Sequence, residues 1–131
     1  MRIVSVLENK KIEKRIAITP ETAKKYIALG FEITIIEKYG EHLGFKNNDY
    51  KELGVKISNN EAEILSSANI IVQLGLLSDK NLSNLKEDQT LVGVFNPYNN
   101  KEKIENLSKK NINIFSLEML PRITRAQSMD I

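Results

Sequence analysis

Short runs of apolar and β-branched residues recur along the chain and alternate with stretches of helical periodicity. The runs that predict strands cover residues 3–7, 32–36, 69–74, 90–95 and 112–117. A strand followed by a helix and then by another strand is typical of βαβ units, in which the sheet is parallel and covered on both faces. The predicted fold class is therefore α/β, a flavodoxin- or Rossmann-like three-layer domain with a mostly parallel sheet.

The intervening stretches carry helix start and stop signals. Thr19 is a suitable N-cap, Pro20 follows at the first helical position, and the apolar pattern ends at Gly30. Further helices are predicted over 48–53, 60–67 and 101–110, with one or two helical turns within 78–86. Because no linker or internal repeat interrupts the pattern, residues 1–131 are expected to form one domain.

Composition excludes several classes of protein. The 131 residues include 41% hydrophobic side chains and carry a net charge of +2, with lysines scattered along the chain, so nucleic acid is not an expected partner. Without cysteine and with His42 as the single histidine, a metal site is not expected, and we assign His42 no role. No signal peptide or membrane-length apolar run is present, which predicts a cytoplasmic protein without direct membrane insertion.

Candidate chemistry is expected in the loops that follow the strands, since ligands of open parallel sheets bind outside the carboxyl ends of their strands. Those loops contain Glu8 and Arg15, then residues 73–77, then 96–99, and finally the segment 118–131. Neither G-x-G-x-x-G nor G-x-x-x-x-G-K-[ST] occurs. The chain therefore lacks a self-contained dinucleotide site and a P-loop.

The richest of these segments reads PRITRAQSMD, from position 121 to 130. If it is helical from residue 124, Gln127 and Asp130 share one face, and together with Arg122 they can bind a carboxamide, which offers both an acceptor oxygen and NH₂ donors. The alternative is an ordinary solvated helix start. Spacing alone favours that alternative, because arginines and acids are mostly surface residues.

Arg15 stands just ahead of the well-capped first helix, where a helix N-terminus attracts anions. A phosphate or carboxylate is a conceivable ligand. On pattern alone, however, Arg15 is more often an ordinary surface charge.

Two segments carry a family resemblance, KRIAITPETAKKYIALGFEITI and MLPRITRAQSMDI. Together they resemble the N-terminal domain of the alanine dehydrogenase and nicotinamide nucleotide transhydrogenase family. The first is shared by both branches, whereas the second resembles the transhydrogenase α subunit specifically. In that family a Rossmann domain follows, so residues 1–131 are expected to be the partial, N-terminal portion of the NAD(H)-binding component and inactive by themselves.

The resemblance implies a role in hydride transfer between NAD(H) and NADP(H), coupled to proton translocation. It implies that Arg122, Gln127 and Asp130 orient the nicotinamide of NADH, that Arg125 contacts the cofactor or braces its loop, and, more weakly, that Arg15 binds cofactor. The implied partners are a second copy in a homodimer, the component that binds NADP(H), and the membrane components. The protein is then expected in the cytoplasm, peripheral to the inner membrane through those components.

Two alternatives remain. One is an amino-acid oxidoreductase of the alanine dehydrogenase type, in which the resemblance implies an acting lysine and histidine where this chain has Gln73 and Asn96. Neither amide serves as a general acid or base near neutral pH, which weakens that interpretation. The other is a non-catalytic α/β ligand-binding module. A phosphoacceptor version of it would need an aspartate where Gln73 stands.

Overall fold

The computed structural model describes residues 1–8, 14–93 and 100–116. Their centre is a sheet of six strands, every adjacent pair of which runs parallel, in the order β3-β2-β1-β4-β5-β6. The strands are β1 (Arg2–Ser5), β2 (Glu32–Ile36), β3 (Lys56–Ser58), β4 (Ile70–Val72), β5 (Thr90–Gly93) and β6 (Asn113–Ser116). This is the Rossmann strand order, which confirms the predicted fold class.

Five α-helices lie between these strands in the described ranges: α1 (Pro20–Ala28), α2 (Asn47–Lys51), α3 (Glu61–Ser66), α4 (Asp79–Leu82) and α5 (Lys101–Lys109). The start of α1 is as predicted: the Thr19 side chain accepts a hydrogen bond from the Thr22 N–H, and Pro20 occupies the first turn. Gly30 follows its end with a φ of 97°, a left-handed conformation that favours glycine. Among the described residues, no helix has the length and apolar character needed to cross a bilayer.

The two central strands are buried along their length. In β1 three consecutive residues are buried, and in β2 four are. Successive side chains of a strand point to opposite faces, so burial of consecutive residues means that both faces of the sheet are covered. The fully buried Val4, Ile35, Ile71 and Leu91 mark the resulting core on the central strands.

The sequence prediction missed β3 and a short 3₁₀ turn at Glu41–Leu43. β3 has three residues, is exposed at Lys56 and lies at the edge of the described sheet beside β2, so it carries too short an apolar pattern to be predicted as a strand. Its presence makes Ile70–Val72 the fourth strand rather than the third. It also places the reversal of strand order between β1 and β4, where the sheet has its topological switch point.

Candidate functional site at the switch point

The switch point is occupied by polar side chains of the chain itself. Ser5 ends β1, Glu8 follows three residues later, Gln73 comes directly after β4, and Tyr39 lies beyond the end of β2. We call these four residues the switch-point cluster. Ser5, Tyr39 and Gln73 are each at most 1% exposed, whereas Glu8 is half-buried.

The amide of Gln73 bridges the two central strands. Its Oε1 accepts hydrogen bonds from the Val6 N–H at 2.7 Å and from the Ser5 hydroxyl at 2.8 Å, and its Nε2 donates to the Val6 carbonyl at 3.1 Å and to Glu8 at 2.9 Å. The Val6 N–H can only donate and the Glu8 carboxylate accepts, which fixes the orientation of the amide. A side-chain amide has two acceptor positions and two donor hydrogens. All four are used within the protein.

The carboxylate of Glu8 binds the loop that follows β4. One oxygen accepts from the Leu74 N–H at 2.7 Å and the other from the Gly75 N–H at 3.0 Å, in addition to the bond from Gln73. Two successive main-chain N–H groups at the end of a strand are the kind of donors that bind anions in this class of fold. Here an internal carboxylate already occupies them.

Tyr39 extends the cluster toward the segment that precedes α1. Its hydroxyl oxygen accepts from the Ala17 and Ile18 N–H groups at 3.0 Å each, and it lies 2.8 Å from Ser5 Oγ. Since two N–H groups already donate to it, the Tyr39 hydroxyl is best placed to donate to Ser5. The proton of Ser5 then goes to Gln73 Oε1 or to the Val72 carbonyl at 2.7 Å. Burial raises the pKa of Tyr39 to about 12, so the group is a neutral phenol at ordinary pH.

An open pocket of about 460 Å³ adjoins the cluster. Its lining combines polar groups with leucines: Leu7, Glu8, Glu61, Gln73, Leu76, Leu77, Ser78 and Asn81. Within the described ranges, no three His, Asp or Glu side chains are grouped so that they could hold a metal ion. The pocket therefore offers carboxylate and amide groups rather than a metal centre.

The structure describes one of the predicted site residues. Arg15 is exposed, in a bend between Glu8 and α1. His42, which was assigned no role from the sequence, lies near it: the His42 ring Nε2 is 2.7 Å from the Lys14 carbonyl oxygen. Arg122, Arg125, Gln127, Asp130 and Asn96 all lie outside the described residues, so their predicted roles stay predictions.

Sequence reasoning missed Ser5 and Tyr39. A signal for Ser5 was available, because a serine inside the apolar run IVSVL needs a hydrogen-bond partner if that strand is buried. Tyr39 gave no comparable signal. Its partners are far along the chain, at residues 5, 17 and 18, and no local pattern indicates contacts at that separation.

Comparison with known proteins places this geometry in a family. Residues 5–131 match the family model described as alanine dehydrogenase/PNT, N-terminal domain. The chain belongs to the alanine dehydrogenase/PNT family. It matches that family's N-terminal domain across nearly its whole length.

Individual relatives fall in both branches of the family. The first of the separate parts of the NAD(P) transhydrogenase subunit alpha of Rickettsia prowazekii is 42% identical over 99% of this chain. A transhydrogenase structure from Sinorhizobium meliloti superposes with a TM-score of 0.87 at 29% identity, covering 98% of this chain and 38% of that one. An L-alanine dehydrogenase structure, at 20% identity and a TM-score of 0.82 over 88% of this chain and 32% of that one, shares the fold. This chain spans 35% of the length of the Rickettsia relative.

The saturated amide of Gln73 predicts a pH-dependent defect in Gln73→Glu. The new carboxyl would be buried beside Glu8, and both burial and the like charge raise its folded-state pKa above the unfolded value of about 4.3. Its contribution to stability is then present below about pH 4.3 and lost as the pH rises. We expect the variant to fall below wild type by about 3 kcal/mol or more at pH 7. The measurement is urea denaturation at stepped pH.

The exposed Asn59→Asp exchange makes the same chemical change away from the cluster, and it serves as the control. A stability difference between Gln73→Glu and wild type that stays constant from pH 4 to pH 7 would contradict the account.

Tyr39→Phe tests the other end of the cluster. At neutral pH, loss of the hydroxyl leaves the Ala17 and Ile18 N–H groups without their acceptor, at a cost of about 1–3 kcal/mol. In wild type the pKa of Tyr39 rises on folding from 10 to about 12. The associated stability is present below pH 10 and disappears as the pH approaches 12, a loss of about 2–3 kcal/mol.

The variant should therefore lose less stability than wild type between pH 10 and pH 12, as monitored by circular dichroism in denaturant. Some alkaline loss remains, because burial also raises the pKa of Tyr50 above its ordinary value. Tyr26→Phe, on α1, is the control. Identical alkaline profiles for wild type and Tyr39→Phe would show that the Tyr39 hydroxyl is not held as described.

Proposed function

We propose that this chain is the N-terminal portion of the NAD(H)-binding α component of a proton-translocating NAD(P) transhydrogenase, which passes hydride between NAD(H) and NADP(H). The 42% identity to a transhydrogenase subunit alpha over nearly the whole chain supports this branch of the family. The observation that carries the choice is the state of Gln73, whose amide is fully committed to internal hydrogen bonds.

Gln73 stands where the family resemblance expects the acting lysine of an alanine dehydrogenase. An amide does not exchange protons near neutral pH, and this amide has no donor or acceptor left for a keto acid. The described part of the switch point therefore lacks a group that could protonate a substrate carbonyl at that position. This favours transhydrogenation over amino-acid oxidation.

The described residues do not fit the pyrophosphate of a dinucleotide. The main-chain donors after β4 are taken by Glu8, and the chain has no glycine-rich phosphate loop. By the chemistry of their donors and acceptors, Arg122, Gln127 and Asp130 do fit a carboxamide. We therefore assign the chain the nicotinamide end of the cofactor only, with the remainder held by another part of the component.

The chain's task under this proposal is orientation. The nicotinamide cofactors supply the hydride chemistry, and the protein gains rate by holding the reacting rings in a productive geometry. Arg122, Gln127 and Asp130 would fix the carboxamide, and with it the plane of the ring. The partners proposed are a second copy of the NAD(H)-binding component, a component that binds NADP(H), and membrane components at the inner membrane.

The direct test is activity of the full-length protein that carries this sequence. Mixed with an NADP(H)-binding component, it should transfer hydride from NADH to an NADP⁺ analogue, followed by absorbance. Supplied with alanine and NAD⁺, it should form no pyruvate above background. Alanine oxidation without hydride transfer would overturn the proposal, and cofactor binding with neither activity would favour the non-catalytic binding module.

Substitution of Gln127 or Asp130 by alanine separates orientation from binding. Loss of one orienting hydrogen bond, worth about 0.5–1.5 kcal/mol when neutral and about 1.5–3 when charged, should slow single-turnover hydride transfer roughly 2-fold to over 100-fold. NADH affinity, measured by calorimetry, should change less. If affinity falls while the single-turnover rate is unchanged in both variants, these residues are binding anchors and the orientation role is wrong.

A further inference from the structure

The exposed Arg15 lies on a segment that is fixed to the protein at both ends. We call residues 14–18 the Arg15 strap. The strap is held by side chains from the connection between β2 and α2 and from α2 itself, namely Tyr39, His42 and Tyr50. Two of these are buried tyrosines, and the third is an exposed histidine.

The downstream end of the strap is anchored by the tyrosines. Tyr39 accepts from the Ala17 and Ile18 N–H groups, and the Tyr50 hydroxyl donates to the Ile18 carbonyl at 2.8 Å. The Tyr39 and Tyr50 rings pack edge to face, with centroids 6.1 Å apart. Ile16 and Ile18 are buried as well. This end of the strap is therefore part of the core.

The upstream end is anchored by His42. The His42 Nε2 lies 2.7 Å from the carbonyl oxygen of Lys14, the residue directly before Arg15. Because a carbonyl only accepts, Nε2 must carry the proton. The bond is solvent-exposed, so it adds little to the stability of the fold. Its effect is on where the main chain of the strap runs.

Gly40 shows how closely the strap is seated. A Cβ atom at this position would lie 3.1 Å from the Tyr50 hydroxyl and 3.2 Å from Cδ1 of Ile16 on the strap, and 3.0 Å from the Phe45 Cβ. The strap and its tyrosine anchor thus approach the backbone at a place that only glycine leaves open. The stretch Tyr39–Gly40–Glu41–His42 supplies an anchor for each end of the strap and the space between them.

We propose that His42 is a positioning residue for Arg15. Anchors on residue 14 and on residues 17 and 18 leave the main chain at Arg15 fixed on both sides, whereas the tyrosines alone would fix one side. Held in this way, the exposed guanidinium is presented in one place at the carboxyl end of the sheet, for binding the NAD(H) cofactor. This inference rests on the proposed function.

A double-mutant cycle in the full-length protein tests it, with wild type, His42→Ala, Arg15→Ala and the double variant. We expect His42→Ala to weaken NADH binding by roughly 3- to 10-fold, with little change in melting temperature. In the Arg15→Ala background the same substitution should have no further effect, because its action passes through Arg15. His42→Gln, whose amide N–H can replace Nε2–H, should restore binding. Glu41→Ala, exposed in the same turn, should bind like wild type.

Additive effects of His42→Ala and Arg15→Ala would overturn the inference, as would normal binding by either single variant. The proposed function has its own readout in the same samples. Wild type that transfers hydride while the cycle is additive would refute only the positioning role, whereas wild type that transfers no hydride would refute the transhydrogenase assignment and this inference with it.

Discussion

The bridge that the Gln73 amide forms between β1 and β4 is the interaction on which the rest of the site depends. At a topological switch point the chain leaves neighbouring strands in opposite directions, so the main-chain groups just past the strand ends lose their ladder partners. Gln73 supplies both partners of Val6, whose N–H and C=O lie beyond the end of β1. Through Ser5 and Tyr39 the same network reaches the segment that precedes α1.

This arrangement changes what the switch point can do. In a dinucleotide-binding Rossmann fold it is the place where the ligand's phosphates meet main-chain N–H groups. Here Glu8 holds the Leu74 and Gly75 N–H groups, and Gln73 has no free hydrogen-bonding capacity. The fold is that of a nucleotide-binding domain, but its customary phosphate position is used to tie the sheet together. A supporting role toward a cofactor held largely elsewhere follows from this geometry.

Local patterns predicted much of the fold. The cap at Thr19, the proline after it and Gly30 located α1 closely, and β-branched runs located five strands, because both signals reside within a few residues of sequence. β3 was missed because it is three residues long and lies at an edge. The strand order, and with it the switch point, could not be predicted locally, since it depends on which strands pair.

The candidate site was less predictable for the same reason. Gln73 was singled out by its position after a strand, but that its amide is saturated became evident only from contacts 65 to 68 residues away along the chain. The anchoring of the strap by Tyr39 and His42 likewise depends on residues brought together by the fold. Arg122, Gln127 and Asp130, outside the described residues, rest on motif and family alone.

Amide hydrogen exchange at Val6 tests the central claim most directly. The Val6 N–H lies beyond the last residue of β1 and donates to Gln73 Oε1 at 2.7 Å. In wild type we predict protection comparable with that of Val4 inside the strand. In Gln73→Leu the Val6 amide should exchange faster than Val4, by more than any change that global destabilisation causes at both positions. Protection of Val6 that stays equal to that of Val4 in this variant would contradict the account.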